Sequence, residues 1–323
     1  MYVFLENFAV EAPKIDLVQK DIAIKTVQLH HSAITLQTTT VNTTESPTLE
    51  SPAEEISFEF PDWQVVVENI DFLNNSFRFS KDNARVTPGV FNSESMVFSA
   101  IDLQLNDVFL KDQSAGLHLN TLQFEEASGL AVQQSKLKLL FNEMELRLTE
   151  VNLRSNQNLL QGIAVLNYNS IDELLANPET TKVTLNFPEI QLDVKEAFRF
   201  APELKKTPEV VALSKHLIKA NLYVNGTLDK LLLQKANVDW HKTSLRFAGE
   251  IRNVTDLEVL YFDVKTLNFK TQRRDLLAFV AEESLGIVVP ETVHLSATAK
   301  GTPNNLTAAL TLQIPEGKIE ASG

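Results

Sequence analysis

Leu137-Lys-Leu139-Leu-Phe141-Asn-Glu-Met144-Glu-Leu146-Arg-Leu148-Thr-Glu-Val151-Asn-Leu153 is the stretch on which the fold turns. Leu137, Leu139 and Phe141 recur every second residue. Met144, Leu146 and Leu148 continue in the opposite phase, and Val151 and Leu153 flip back. Successive side chains of a strand point to opposite faces, so a period of two marks a strand with one dry and one wet face. A helix needs apolar spacings of three and four, which this stretch lacks. One extra residue at each slip, in a turn or a bulge, returns the apolar side chains to the same face.

The same stutter recurs in Ile101, Leu103, Leu105, then Val108, Leu110, and in Leu117, Leu119, then Leu122, Phe124. Further strands are expected at 222–224, 231–238, 245–251, 257–264, 267–269, 293–299 and 306–314. The chain therefore reads as all-β, mainly an antiparallel meander with one apolar face. Helices are few and short. Ser170-Ile-Asp-Glu173 matches a capping box and opens a helix that stops before Pro178. Thr207-Pro208 places an N-cap residue before a proline at the first helical position, continued by Val210–Leu217. Asp275 to Glu283 carries Leu276, Phe279 and Val280 at helical spacing, and 195–200 suits a turn or two.

Three regions follow. Residues 1–37 form a first strand group, and 57–323 form the main β region. Between them, 38–56 is rich in Thr, Ser, Glu and Pro and reads as a loop or insertion. A weak internal repeat links Leu222-Tyr-Val224-Asn-Gly226-Thr227 with Ala297-Thr-Ala299-Lys-Gly301-Thr302, followed downstream by Leu231 and Leu306. Each is followed by a second glycine step, Gly249-Glu-Ile251 and Gly317-Lys-Ile319, and Gly162-Ile163 offers a third. Repeated strand–glycine–strand units near 222–251 and 297–319 point to a β architecture that grows by stacking.

Composition bounds the function. Of 323 residues, 44% are hydrophobic and 22% charged, which suits a folded chain with ample apolar surface. The net charge is −13, with 42 acidic against 29 basic side chains. Lys205-Lys206 and Arg273-Arg274 are only pairs, so nucleic acid is not expected as a partner. The absence of cysteine removes disulfides, thiolate metal sites and cysteine nucleophiles. No run of roughly 18–20 apolar residues spans a membrane. Met1-Tyr-Val-Phe-Leu5 is followed at once by Glu6 and Asn7 without a basic region before it, which is neither a signal peptide nor an anchor. A targeting element is therefore expected outside this chain.

Enzymatic motifs are missing. The six histidines, at 30, 31, 118, 216, 241 and 294, are scattered, and His30 and His31 in one strand would face opposite sides. No H-x-x-x-H, G-x-S-x-G or phosphate loop occurs. Glu143 and Glu145 share one strand face, as an acid–base pair of a glycosidase would, but their alternation with Met144, Leu146 and Leu148 reads as the solvated side of a half-buried strand. Neither a catalytic residue, a metal nor a cofactor is expected.

Several segments together resemble the TamB branch of the AsmA-like family, most closely the versions from Bacteroidota-like bacteria. They are Leu222–Leu231, Phe247-Ala-Gly249-Glu-Ile251-Arg-Asn253, Phe262-Asp-Val264 leading to Leu267-Asn-Phe269, and Arg274-Asp-Leu-Leu277. Upstream, Phe91-Asn-Ser93, Ile101-Asp-Leu103, Glu126-Ala-Ser128-Gly-Leu130 and 156–168 fit in the same order, so the likeness runs from about Ile15 to the end. The resemblance implies a β-taco, a long twisted sheet curled into an open groove with an apolar concave face. It implies a periplasmic, non-enzymatic role, with an inner-membrane anchor outside this chain. The implied partners are phospholipid acyl chains carried between the two membranes, or an outer-membrane barrel protein whose assembly is assisted.

The residues alone favour an ordinary sandwich of two sheets, and the resemblance instead implies an open face. The lining expected on that reading is Leu137, Leu139, Phe141, Met144, Leu146, Leu148, Val151, Leu153, Leu245, Phe247, Val264 and Phe269. Burying one methylene is worth about 0.8 kcal/mol, so a chain of about 16 carbons gains roughly 13 kcal/mol before ordering costs. Such a site needs stripes of apolar residues and no signature motif.

Overall fold

The computed structural model describes residues 1–40, 58–254, 256, 258–280, 282–286 and 288–323. The expected loop over 38–56 lies outside them from position 41 onward, and Thr38 itself ends a strand. The fold is all-β with short helical turns, 64% strand against 11% helix. Two compact units are formed, residues 1–144 with 169–176, and residues 145–168 with 177–323.

In the first unit, β1 (Tyr2–Phe4), β2 (Asn7–Glu11) and β3 (Lys14–Asp16) run as one interrupted strand against β4 (Asp21–His30) and β5 (Ala33–Thr38). Both β4 and β5 pair in parallel with β6 (Gln64–Lys81). Antiparallel β7 (Ser95–Lys111), β8 (Ser114–Glu126) and β9 (Leu130–Asn142) follow in order. A parallel pair needs a connection that returns along the whole strand.

Asn75 holds the β4–β5 break together. His31 adopts φ +53° there, so it is not in a strand as expected, and Ser32 is 2% exposed. The Asn75 side chain accepts from the Ser32 amide at 2.9 Å and donates to the Leu29 carbonyl at 2.7 Å, replacing the ladder bonds lost at the kink.

The expected phase slips that fall within a strand are β-bulges. The slip at 105/108 falls inside β7, where Asp107 has φ +52°, and the slip at 119/122 falls inside β8. β6 shifts register between Phe72 and Asn75, β7 between Ser99 and Asp102, and β9 near Gln134, which has φ +45°. Each bulge adds twist while keeping the apolar face intact.

The second unit runs β10 (Glu145–Ser155), β11 (Asn158–Asn167), β12 (Lys182–Leu192), β13 (Ile218–Thr227), β14 (Lys230–Trp240) and β15 (Thr243–Arg252). It continues through β16 (Tyr261–Gln272), β17 (Thr292–Thr302), β18 (Asn305–Ile314) and β19 (Gly317–Ser322), every strand antiparallel to its sequence neighbour. Within this unit β10 and β19 do not pair with each other, so its sheet is open. The strands expected at 257–264 and 267–269 merge into β16, which starts at Tyr261 and bulges between Val264 and Leu267.

Helical turns sit between strands. In α1 (Ile171–Ala176) the Ser170 hydroxyl accepts from the Glu173 amide at 3.0 Å, which is half of the expected capping box. The Glu173 carboxylate takes the Asn169 amide instead. The β12–β13 connection holds α2 (Ala197–Phe200) and α3 (Pro208–Leu213). The single helix expected over 275–283 is two short turns, α4 (Arg273–Leu276) and α5 (Glu282–Leu285).

The first glycine of each repeat is structurally equivalent. Gly226 and Gly301, at φ +131° and +136°, each sit one residue before a strand end, and an added Cβ would come within 2.1 Å of the Lys230 or Asn305 carbonyl oxygen. The second glycines are not equivalent: Gly249 lies mid-strand opposite Val264, whereas Gly317 opens β19 with nothing within 4 Å. Gly301→Ala is therefore expected to destabilise the protein by roughly 1–3 kcal/mol in urea unfolding, through backbone strain. Gly317→Ala is expected to stay within about 0.5 kcal/mol of the parent.

Candidate functional site

Cross-strand register turns the stripes into rows. In the second unit Leu153, Leu160, Ile190, Ala220, Val238, Leu245, Phe269, Leu295, Leu312 and Ile319 are paired one to the next, so ten successive strands place one apolar residue each on a single face. A second row contains Leu148, Ala164, Leu185, Val224, Leu233, Gly249, Val264, Ala299 and Ala308. The alternate positions belong to the other face and are mostly polar, with exceptions such as Leu159 and Leu232. Gln191, Lys219, Asp239, Ser244, Lys270, His294, Gln313 and Lys318 form a matching row there. Direct cross-strand pairs contribute roughly 0.2–1 kcal/mol each, so an unbroken row favours this register over a one-residue slip.

The first unit repeats the arrangement. Val10, Val27, Ile70, Leu105, Leu119 and Leu137 are paired in one row, and Ile15, Ile22, Val65, Leu110, Ala115 and Phe141 in another. The facing row is held by amides: Asn106 accepts from Asn120 and donates to Asn69, and Gln104 donates to Asp71 at 3.4 Å.

The expected lining residues divide between the units. Leu137, Leu139 and Phe141 lie on β9. Leu146, Leu148, Val151 and Leu153 lie on β10, Leu245 and Phe247 on β15, and Val264 and Phe269 on β16. Met144 departs from expectation: it sits in the β9–β10 turn, 62% exposed, because the slip at that point is a hairpin rather than a bulge. Glu143 shares the turn, so it does not share a strand face with Glu145, which pairs with Arg147.

Most of this face is half-buried. Only Val151 among the lining residues is buried, at 6% exposure. The rows open outward at the sheet edges, where Ile319, Val10 and Ile15 are 55%, 47% and 62% exposed. In each unit the strands form one hydrogen-bonded sheet, not the two separate sheets of the sandwich alternative. A hollow of about 580 Å³ over β16–β19 is a different feature, lined mostly from the polar side by Asn268, Ser296, Thr298, Thr311 and Glu320.

Sequence reasoning missed two covers on the apolar face. Phe58 and Phe60 pack on Phe141 with ring centroids 5.6 and 5.4 Å away, and on each other at 5.1 Å. In the second unit Trp240, 6% exposed, ends the face beneath the two helical connections. Its indole N–H donates to the Leu213 carbonyl at 3.0 Å, and Phe279 and His216 stand 5.3 and 5.7 Å from its ring. The alternation in Phe58-Glu-Phe60 was a usable signal. Nothing local marks Trp240 as capped.

Beside Trp240 lies a buried acid, Asp275, 3% exposed. It takes the His241 ring nitrogen at 2.6 Å, the Lys242 amide at 3.0 Å and the Thr243 hydroxyl at 2.8 Å. Burial pushes its carboxyl up, but the bonds from His241, Thr243 and the Lys242 amide outweigh that and hold it below its usual range. The Thr243 hydroxyl serves Asp275 and Thr271, not His241, so these groups clamp the β14–β15 turn and are not arranged as a nucleophile and base. No cluster of three metal-binding side chains occurs among the described residues.

The chain matches no family model, no curated protein and no solved structure. The site therefore rests on its geometry.

Asp275→Ala is expected to cost about 1.5–3 kcal/mol in thermal or urea unfolding, the range for hydrogen bonds to a charged group. Because the folded carboxyl is depressed, its contribution is full above the ordinary carboxylate range of about 4 and fades as pH falls through the lower folded value. Acid unfolding curves of parent and variant should converge at the acidic end.

Proposed function

We propose that this protein is a non-enzymatic lipid-binding segment of the periplasm, whose apolar face receives phospholipid acyl chains passing between the inner and outer membranes. The observation that carries the reading is the row from Leu153 to Ile319, one apolar side chain per strand over ten strands, largely half-exposed. At ~4.8 Å between strands the row runs about 43 Å, against about 15 Å for one leaflet of a 30 Å hydrocarbon core. That length accommodates several acyl chains in succession, as a conduit requires. Head groups remain in water, so the reading needs no polar pocket. The likeness to TamB-type proteins supports the same role.

The test is lipid retention. Leu245→Glu with Phe269→Glu places two charges in adjacent positions of the row, and both should abolish phospholipid co-purification measured by mass spectrometry after mild extraction. Far-UV circular dichroism should keep its strand signal. Asn268→Asp, on the polar face, should leave retention unchanged. Equal lipid in all three preparations would refute the proposal.

A second reading rests on β19. Its six residues are all exposed, and among the described residues it pairs only with β18, leaving an edge able to accept another strand. An unfolded outer-membrane barrel client, or the barrel partner itself, suits that edge. On this reading Lys318→Pro, at a position whose amide faces away from β18, should remove crosslinks between a photoreactive group at Glu320 and such a client, while lipid retention stays intact.

A further inference from the structure

The histidines over Trp240 lie outside the apolar rows, yet their placement is specific. His216 ends the β12–β13 connection and His241 opens the β14–β15 turn at φ +51°. Their rings are stacked, with centroids 4.1 Å apart and planes 11° from parallel. Parallel planes direct the ring lone pairs side by side, so the two do not converge on one metal ion. We propose that this stack is a proton-operated latch, closing the helical connection over Trp240 at neutral pH and releasing it on acidification.

The first proton is accommodated. His241 faces the Asp275 carboxylate at 2.6 Å, and protonation converts that contact into a charge-assisted pair. A neutral ring of His216 can still stack on the resulting cation. The second proton is not accommodated: an imidazolium at His216 would face another at 4.1 Å with one buried carboxylate between two charges. The remaining ionic groups around the latch do not relieve this. Lys215 and Lys242, next to the two histidines in sequence, bring positive and not negative charge, Arg274 is exposed on α4, and Arg273 is engaged with Glu282 at 2.7 Å. Asp239, on β14 beside Trp240, is held by Arg246 at 2.6 Å. Repulsion therefore falls on the least anchored element, the end of the connection that carries His216, whose backbone bond to the Leu213 carbonyl is long at 3.5 Å. The same Leu213 carbonyl receives the Trp240 indole, so movement there uncovers Trp240.

Asp275 cannot produce the same response. Its carboxyl is depressed, so its loss lies at more acidic pH than imidazole protonation. The latch is also independent of the guest that the face receives.

Trp63 and Trp240 are the two tryptophans, so the full chain carrying Trp63→Phe reports on Trp240 alone. Its acrylamide quenching constant is expected to be higher at about pH 5 than at about pH 8, with unchanged far-UV dichroism. Quenching by a soluble agent reads access, and contact quenching by an imidazolium does not mimic it. Adding His216→Phe keeps a ring to stack but carries no proton, and should remove the rise while leaving the pH 8 value in place. If that variant loses its dichroism at pH 8, His216→Gln serves in its place. A flat quenching constant in the Trp63→Phe protein, or a rise that survives at either His216 variant, overturns the latch.

Discussion

Everything in this protein depends on keeping apolar side chains on one face while the strands bend. A pleated strand alternates faces residue by residue, so any irregularity would turn its apolar set outward. The bulges at Asp107, Gln134 and Glu150 each insert the residue that corrects the phase. Side chains on neighbouring strands then meet like with like. Leu245 finds Val238 on one side and Phe269 on the other, and Lys270 finds Ser244 and His294. A sheet built this way has a greasy side without a second sheet to hide it. Its stability has to come from the lateral rows and from covers placed at chosen points.

Those covers come from the connections. Phe58 and Phe60 reach Phe141 from just ahead of β6, and the two helical connections of the second unit converge on Trp240. Polar clamps fix the places where backbone order changes: Asn75 at the β4–β5 break and Asp275 at the β14–β15 turn. Both replace missing ladder partners with side-chain atoms, and both are nearly inaccessible to water. The proposed conduit and the proposed latch use different parts of this plan, the rows in one case and a cover in the other.

Strand identity and facing were legible from the sequence because period two is a local signal. The placing of the stripe residues of β9, β10, β15 and β16 on one face follows from it directly, and the bulges announced themselves as phase slips. Met144 was misplaced because a slip of three residues looks the same in a bulge and in a tight hairpin, and only the partner strand distinguishes them. The second glycines of the repeat failed for a related reason. Gly226 and Gly301 are required by a clash with the strand across the turn, a constraint of pairing, while Gly249 and Gly317 share only a letter pattern. Long-range features left no trace at all: the parallel pairing of β4 with β6, the Asn75 clamp, and the meeting of His216 with His241 join residues distant in the chain.

The aromatic pair over Phe141 has a consequence for whatever apolar guest approaches that end of the first unit. Phe58 and Phe60 are tethered competitors, and a tether supplies an effective concentration on the order of millimolar. On the proposed conduit reading, a guest at this end has to displace both rings from Phe141, so the apolar area it brings would set its admission.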